Sequence, residues 1–301
     1  PTSVDTEINQ LKVAVLPLEG GEFYHYGTTP ELVASTTYLQ NLVLDQRVII
    51  QKHVKKHPAV FTQNAVVKAE LTDKNSDIWI ENSDVPASWI LSSQNVITGV
   101  PENEWNILLG KGQCVDIQAV GGSSYVLRPY GFHDAMRGSI MSSATMFIEQ
   151  PVTEWLSNHH IDIDKIACQQ DIQAANIFPV CSTLMQMERM LKWMLSPQPS
   201  EDLSKEWEGL PRLSADDISA QANLERQDAQ RKKFLAINIP QLAQNYRKSV
   251  FYQIDLKDVA DKYVKYGLLL PSLLQDEATP MQQVHDAMFR AQVQKMRGED
   301  G

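Results

Sequence analysis

The densest run of ligand-handling residue types is Gly20-Gly21-Glu22-Phe23-Tyr24-His25-Tyr26-Gly27-Thr28. Paired glycines let a backbone approach a bound molecule closely. In an extended segment Glu22, Tyr24 and Tyr26 share one face, with Phe23 and His25 on the other. A carboxylate, an imidazole and two phenols around a glycine turn suit the hydroxyls of a sugar. Gly27-Thr28 at a helix start would offer free backbone N–H groups to a phosphate. The same residues also fit a hairpin whose aromatic rings simply pack on neighbouring structure. A second candidate is Leu127-Arg128-Pro129-Tyr130-Gly131. An arginine between apolar strand residues and a Pro-Tyr-Gly turn can clamp a phosphate in bidentate fashion, or pair with a carboxylate such as Asp134. The candidate substrate-binding residues are therefore Gly21, Glu22, Tyr24, His25, Tyr26, Gly27, Thr28 and Arg128.

Other groupings carry less chemistry. His53 and His57 flank Val54-Lys55-Lys56 without a carboxylate or cysteine partner, so no metal site is expected there. His159-His160 reads as a solvated pair in a polar loop. Cys114 reads as core. No nucleophile elbow, P-loop or paired-metal motif is present, and no residue is assigned a catalytic role.

The framework that must position these residues has a six-residue beat. Stepping by six from Leu42 gives Val48, Val54, Val60, Val66, Thr72, Ile78, Asp84, Ile90, Val96, Glu102, Leu108, Cys114, Val120 and Val126. Twelve of the fifteen positions are apolar, against 43% for the whole chain. An eighteen-residue echo reinforces it: Val60-Phe61-Thr62, Ile78-Trp79-Ile80, Val96-Ile97-Thr98, Cys114-Val115-Asp116. Three hexapeptides make one triangular turn of a parallel β-helix, whose stacked turns contact only their neighbours. Turns of constant length favour the left-handed hexapeptide form, with beat residues pointing inward. Asn64 and Asn82, one turn apart, are placed for an amide ladder, and Pro86 and Pro101 mark loops where the register can slip. An ordinary β-sandwich is the competing reading of the same spacing.

Around the coil, Leu11 to Leu18 reads as a buried strand and Glu22 to Tyr26 as a second. A helix then runs from about Thr29, its N-cap, with Pro30 in the first turn. That helix is a candidate cap for the open end of the coil. After Val126 the beat fades into irregular extended structure, and from residue 151 the period is helical. Leu184 to Leu195 reads as a buried helix, 196–212 as a linker, and Ser214 as the start of a long helix with Leu213 and Ile218 as its hydrophobic staple. Further helices are expected after Asp255 and over 281–296. The fold class is thus mixed β and α, a single-stranded parallel β-helix followed by an α-helical domain. Its expected parts are a hairpin and capping helix (1–41), the β-helix (42–150) and an α-helical connector (151–301).

A net charge of −10 and a pI near 5.2 argue against a nucleic-acid surface. The basic run Arg231-Lys232-Lys233 reads as a solvated helix face. Cys114, Cys168 and Cys181 are an odd set without CxxC spacing, which points to a reducing, cytoplasmic setting. No apolar run is long enough to span a bilayer, and there is no secretory signal layout. A start at Pro1-Thr2, entering a strand almost at once, suggests a piece of a longer polypeptide.

Val13-Ala14-Val15-Leu16-Pro17-Leu18-Glu19-Gly20-Gly21-Glu22-Phe23-Tyr24-His25-Tyr26-Gly27-Thr28 resembles the mid-chain of bacterial bifunctional L-fucokinase/GDP-fucose pyrophosphorylases. Similar stretches follow in order: Phe61 to Val67, Ile97 to Asn103, Arg128 to Gly131, Leu213 to Ser219 and Ser249 to Leu256. The resemblance implies a guanylyltransferase that joins fucose-1-phosphate to GTP and a kinase that makes that phosphate from fucose and ATP. The family's nucleotide loop, a Gly-Gly-x-Ser-x-Arg type segment, would precede residue 1, and the kinase's Gly-Leu-Gly-Thr-Ser-Ser loop would follow Gly301. The chain then corresponds to the segment between the two catalytic centres and is expected to be inactive alone. Glu22 to Thr28 is its expected contribution to the fucose-1-phosphate pocket. The implied partners are fucose-1-phosphate and the flanking domains. No cofactor is expected on this segment, and Mg²⁺ accompanies GTP in the whole enzyme. Two alternatives stand beside this reading: a spacing and homo-oligomerisation module without ligand, and a hexapeptide-repeat acyltransferase.

Overall fold

The computed structural model describes residues 9–12, 14, 16–17, 19–42, 59–166 and 171–248. His53, His57, Cys168 and the two last expected helices lie outside the described residues, as do Val48 and Val54, the two beat positions that follow Leu42. Of the expected first strand, the described residues are irregular, with Leu11 and Leu16 exposed.

Helix α1 (Thr29–Leu42) comes first. Thr28, not Thr29, caps it, since the Thr28 hydroxyl accepts from the Glu31 N–H. The parallel coil then runs through β1 (Val60–Gln63), β2 (Val66–Val67), β3 (Ile78–Glu81), β4 (Asp84–Val85) and β5 (Asn95–Thr98) into the long strand β6 (Gln113–Val120). On one side β1, β3, β5 and β6 stack in parallel, and on the next β2 pairs with β4. A bridge between Ile90 and Leu108 links the third. The eighteen-residue step holds from Val60 to Ile78 and from Ile97 to Val115, but Ile78 faces Asn95, a step of seventeen.

That one-residue slip changes which residues fill the coil. A slip of one reverses every side chain on a strand, so Val96 and Cys114, expected inside, lie on the outer face of the sheet. The interior is instead Ile78, Ile80, Val85, Ile97, Val100 and Val115. On the third side Ile90 and Leu108 stand exposed, while Trp89, Leu91, Trp105, Ile107 and Leu109 fill the core. The indoles of Trp89 and Trp105 stack with centroids 6.4 Å apart.

Side-chain amides stitch the turns together at two corners. Asn64 Nδ2 donates to Asn82 Oδ1 at 2.7 Å, the expected ladder. At the other, Asn75, Asn95 and Gln113 each accept from the backbone N–H three residues earlier, of Thr72, Ser92 and Gly110. Asn75 donates on to the carbonyls of Leu91 and Ser92, Asn95 to those of Gly110 and Gln113, and Gln113 to Leu195. Corner carbonyls and N–H groups that a tight turn leaves without a ladder partner are thereby satisfied.

The sheet continues beyond the coil. Residues 127–131, expected to be irregular, belong to strand β7 (Ser124–Gly131), which pairs antiparallel with the whole of β6. A small hairpin, β8 (Met146–Phe147) and β9 (Gln150–Pro151), leads into helix α2 (Val152–Asn158). Strand β10 (Phe178–Cys181) then joins β7, and after α3 (Leu184–Leu195) and α4 (Glu201–Gly209) the short β11 (Arg212–Leu213) completes a seven-stranded sheet. Helix α4 occupies the expected linker because Trp207 and Ser204 are buried on one side of it.

Helix α3 is the buried helix expected, with Met187, Met190, Leu191, Trp193, Met194 and Leu195 inside, although Met185 faces out. His159, expected to be solvated, is buried instead. Its ring stacks on Trp155 at 4.1 Å, and its nitrogens face the carbonyls of Trp155 and Trp193.

The long helix expected from Ser214 is two helices. Ser214 and Asp217 form a capping box for α5 (Ala215–Gln221). Asn223 breaks the run, donating its backbone N–H to Ala119 and its side chain to Gly121. It then caps α6 (Leu224–Lys248) through the Arg226 N–H. Helix α6 runs back along the coil. Arg226 donates to the carbonyls of Val120 and Ser124, Gln230 to those of Asn82 and Gly99, and Asn64 donates to that of Arg231.

Candidate functional site

The outer face of the sheet is the floor of the site. Strand alternation puts Val96 and Thr98 of β5, Cys114, Asp116 and Gln118 of β6, and Arg128 and Tyr130 of β7 on that face. Helix α1 does not cap the coil end; it lies across this face, where Val33 packs with Val96, Cys114 and Phe132. The N-terminus of α1 therefore stands beside Arg128 and Tyr130. A cavity of about 600 Å³ opens between them. Its walls are Tyr26 to Thr29 and Leu32 on the helix side, Thr98, Asp116, Arg128 and Tyr130 on the sheet, and Asp134 to Arg137 with Gln173 opposite.

Four of the expected residues meet here: Tyr26, Gly27, Thr28 and Arg128. A Cβ on Gly27 would meet the exposed His25 ring, which would have to turn aside. The other four do not line the cavity. Residues 21–26 are irregular, not a strand. Tyr24 donates to Glu22 and its ring lies 5.3 Å from that of Tyr38 on α1. His25 Nδ1 is 2.8 Å from Glu31 Oε2, and Thr28 donates to the same carboxylate. Hydrogen bonding from His25, then Thr28, holds the Glu31 carboxyl below the usual range. Glu22, Tyr24 and His25 thus brace the approach to α1, and Gly21 lies exposed just before them.

Arg128 sits directly opposite Asp116 across the β6–β7 ladder. Its Nη1 is 3.6 Å from Asp116 Oδ2, and its guanidinium carbon lies 5.7 Å from the Tyr130 ring centroid. Arg128 Nε is buried without a hydrogen-bond partner among the described residues. Asp134, the alternative ion-pair partner, is committed elsewhere: it accepts from the backbone N–H groups of Gly131, Ile148 and Glu149. Burial raises its carboxyl out of the ordinary range, against the opposing pull of those three donors. Burial likewise raises the Tyr130 phenol, keeping it protonated as a donor.

The sequence reading missed Thr98, Asp116, Arg137 and Gln173. A signal for two of them was present, since Thr98 and Asp116 end consecutive eighteen-residue echoes. Once those strands are paired, both must fall beside Arg128. Arg137 and Gln173 arrive from loops and carry no such pattern.

Chemically the cavity offers two guanidinium groups and a helix N-terminus to an anion, and hydroxyl, carboxylate and amide groups to a polyol. Among the described residues no group of three His, Cys, Asp or Glu is placed to hold a metal ion, and no helix is long and apolar enough to cross a membrane. Cys114 and Cys181 are buried free thiols, both pushed up to about 12 by desolvation.

No family model and no solved structure matches the chain. Among curated proteins it is similar to the L-fucokinase/L-fucose-1-P guanylyltransferase of Bacteroides fragilis. The two are 44% identical over 301 residues, all of this chain and 32% of that protein. The resemblance read from the sequence therefore holds along the whole chain, which spans about a third of the length of the curated relative it matches.

Proposed function

We propose that the chain is the sugar-phosphate-binding and scaffolding portion of a fucose-1-phosphate guanylyltransferase, in a polypeptide that also carries a fucokinase. In the reaction, an oxygen of fucose-1-phosphate attacks the α-phosphorus of GTP in line, pyrophosphate leaves, and GDP-fucose forms. The sugar phosphate is already an anion and needs no base, so the chain's task is to hold it in place. Mg²⁺ would come with the nucleotide. Among the described residues no group of three His, Cys, Asp or Glu is placed to hold it.

The observation that carries this reading is the convergence of two stretches a hundred residues apart. Gly27-Thr28 and Arg128 each suit a phosphate, Tyr26 suits a sugar hydroxyl, and all of them line one cavity. Arg128 and Arg137 suit the phosphate, while Gln173 suits fucose hydroxyls. The coil and α6 would carry this site at a fixed distance from the flanking kinase and nucleotide-binding domains.

The test is calorimetric titration of the 301-residue chain with L-fucose-1-phosphate. Saturable binding that Arg128→Ala weakens by at least about tenfold, the worth of one charge-assisted contact, supports the pocket. Binding that the substitution leaves alone, or none at all, removes it. The scaffold-only reading is favoured by one observation: Glu22, Tyr24 and His25 find their partners within the chain itself. Silence in the titration would leave that reading standing.

A further inference from the structure

The Arg128 guanidinium has a charged neighbour across the β6–β7 ladder, the Asp116 carboxylate. Asp116 is a buried carboxylate on the same sheet face. Its Oδ1 accepts from Thr98 Oγ1 at 2.8 Å, and its Oδ2 from Gln118 Nε2 at 2.9 Å. Two neutral donors from neighbouring strand positions thus lock the carboxylate, and the locked Oδ2 faces Arg128 Nη1 at 3.6 Å. With Nη1 turned to Asp116, Nε and Nη2 form the guanidinium edge that faces away from that carboxylate. Nε is the buried donor that no described residue satisfies. A charged N–H shut away from water without an acceptor is costly, and a planar two-donor edge matches two oxygens of a phosphate.

We infer that Asp116 is a positioning residue, holding Arg128 so that its Nε–Nη2 edge receives the phosphate oxygens of a sugar phosphate. This rests on the cavity being the sugar-phosphate site. A positioning role and simple repulsion by Asp116 have opposite effects on binding. The charge of Asp116 repels a bound phosphate, so on Coulomb grounds alone its removal tightens binding. If its role is to orient Arg128, removal weakens binding.

The experiment titrates the 301-residue chain and its variants with L-fucose-1-phosphate, following heat and the Arg128 Nε–H resonance. Asp116→Asn keeps the shape and, with its amide oxygen toward Gln118 and the Thr98 hydroxyl turned to accept, both neutral contacts, but not the charge. It is expected to weaken binding by about tenfold, one charge-assisted contact, and to abolish the ligand-induced shift of the Nε–H signal even at saturation. Asp116→Glu should recover part of both, and Thr98→Val, which removes only the lock on Oδ1, should give a smaller loss of binding. Unchanged or tighter binding in Asp116→Asn, with Arg128→Ala still defective, overturns the positioning role and leaves the pocket. Wild-type binding in Arg128→Ala overturns both.

Discussion

Gly99 and Gly121 allow the coil's packing to be tested against a built-in control. Both have a left-handed backbone, with φ of +69° and +56°. Alanine in that region costs roughly 1–2 kcal/mol at either position. Their surroundings differ completely. A Cβ on Gly99 would lie 2.1 Å from the carbonyl oxygen of Ile117, a backbone atom of the next turn, whereas nothing lies within 4 Å of one on Gly121. No rotamer change relieves the first clash, so β5 and β6 must separate, and overpacking of this kind costs about 1–3 kcal/mol more. Gly99→Ala should therefore be less stable than Gly121→Ala by about 2 kcal/mol. That corresponds to a midpoint some 4–8 °C lower for a domain of this size. Thermal and urea unfolding followed by far-UV circular dichroism measure it. If the two variants agree within about 0.5 kcal/mol, the ordinary limit of additivity between sites, the stacked turns do not approach each other as described.

Further expectations follow from the same contacts. Asn95→Asp puts a carboxylate oxygen against the carbonyls of Gly110 and Gln113, where Asn95 now donates; it should cost about 3 kcal/mol or more, read by the urea midpoint. Gln230→Ala removes both bonds from α6 to the coil corner and should cost about 1–2 kcal/mol. By contrast Lys233→Ala, which removes an exposed ion pair to Glu102, should cost under about 1 kcal/mol. Desolvation lowers the His159 imidazole below its ordinary 6.5, so the folded chain prefers it neutral while the unfolded chain protonates it near that value. The resulting stability is present above pH 6.5 and fades as the pH falls toward the lowered value. The loss between pH 7.5 and 5.5 should shrink in His159→Gln. Native Cys114 and Cys181 should resist a thiol reagent at pH 8 and label on unfolding, as mass mapping of the modified peptides would show.

The coil was legible because its signal is repetition. Val60, Ile78, Ile97 and Val115 recur at nearly constant spacing, and stacking alone converts that spacing into parallel pairing. Which side of each strand faces in was not legible. One missing residue between Ile78 and Asn95 sends Val96 and Cys114 outward and brings Ile97 and Val115 inside, and a shift that small is invisible in a pattern where neighbouring positions are also apolar. Helix α3 was readable from its apolar surface, and the Ser214 cap from its capping box. The break at Asn223 was not, because it depends on carbonyls of the β6–β7 turn a hundred residues earlier. The same holds for the cavity. Arg128 and Thr28 were picked out singly by residue type, while Asp116 and Arg137 acquire meaning only when the β6–β7 ladder and the 134–137 loop place them alongside.

The most direct test of the central claim is a crystal structure of this chain grown with L-fucose-1-phosphate. Phosphate density is expected between the N-terminus of α1 and β7, with oxygens within hydrogen-bond reach of Arg128 Nε and Nη2 and the sugar ring toward Gln173. A ligand bound elsewhere on the chain, or an Arg128 that turns away from the cavity in its presence, would contradict it.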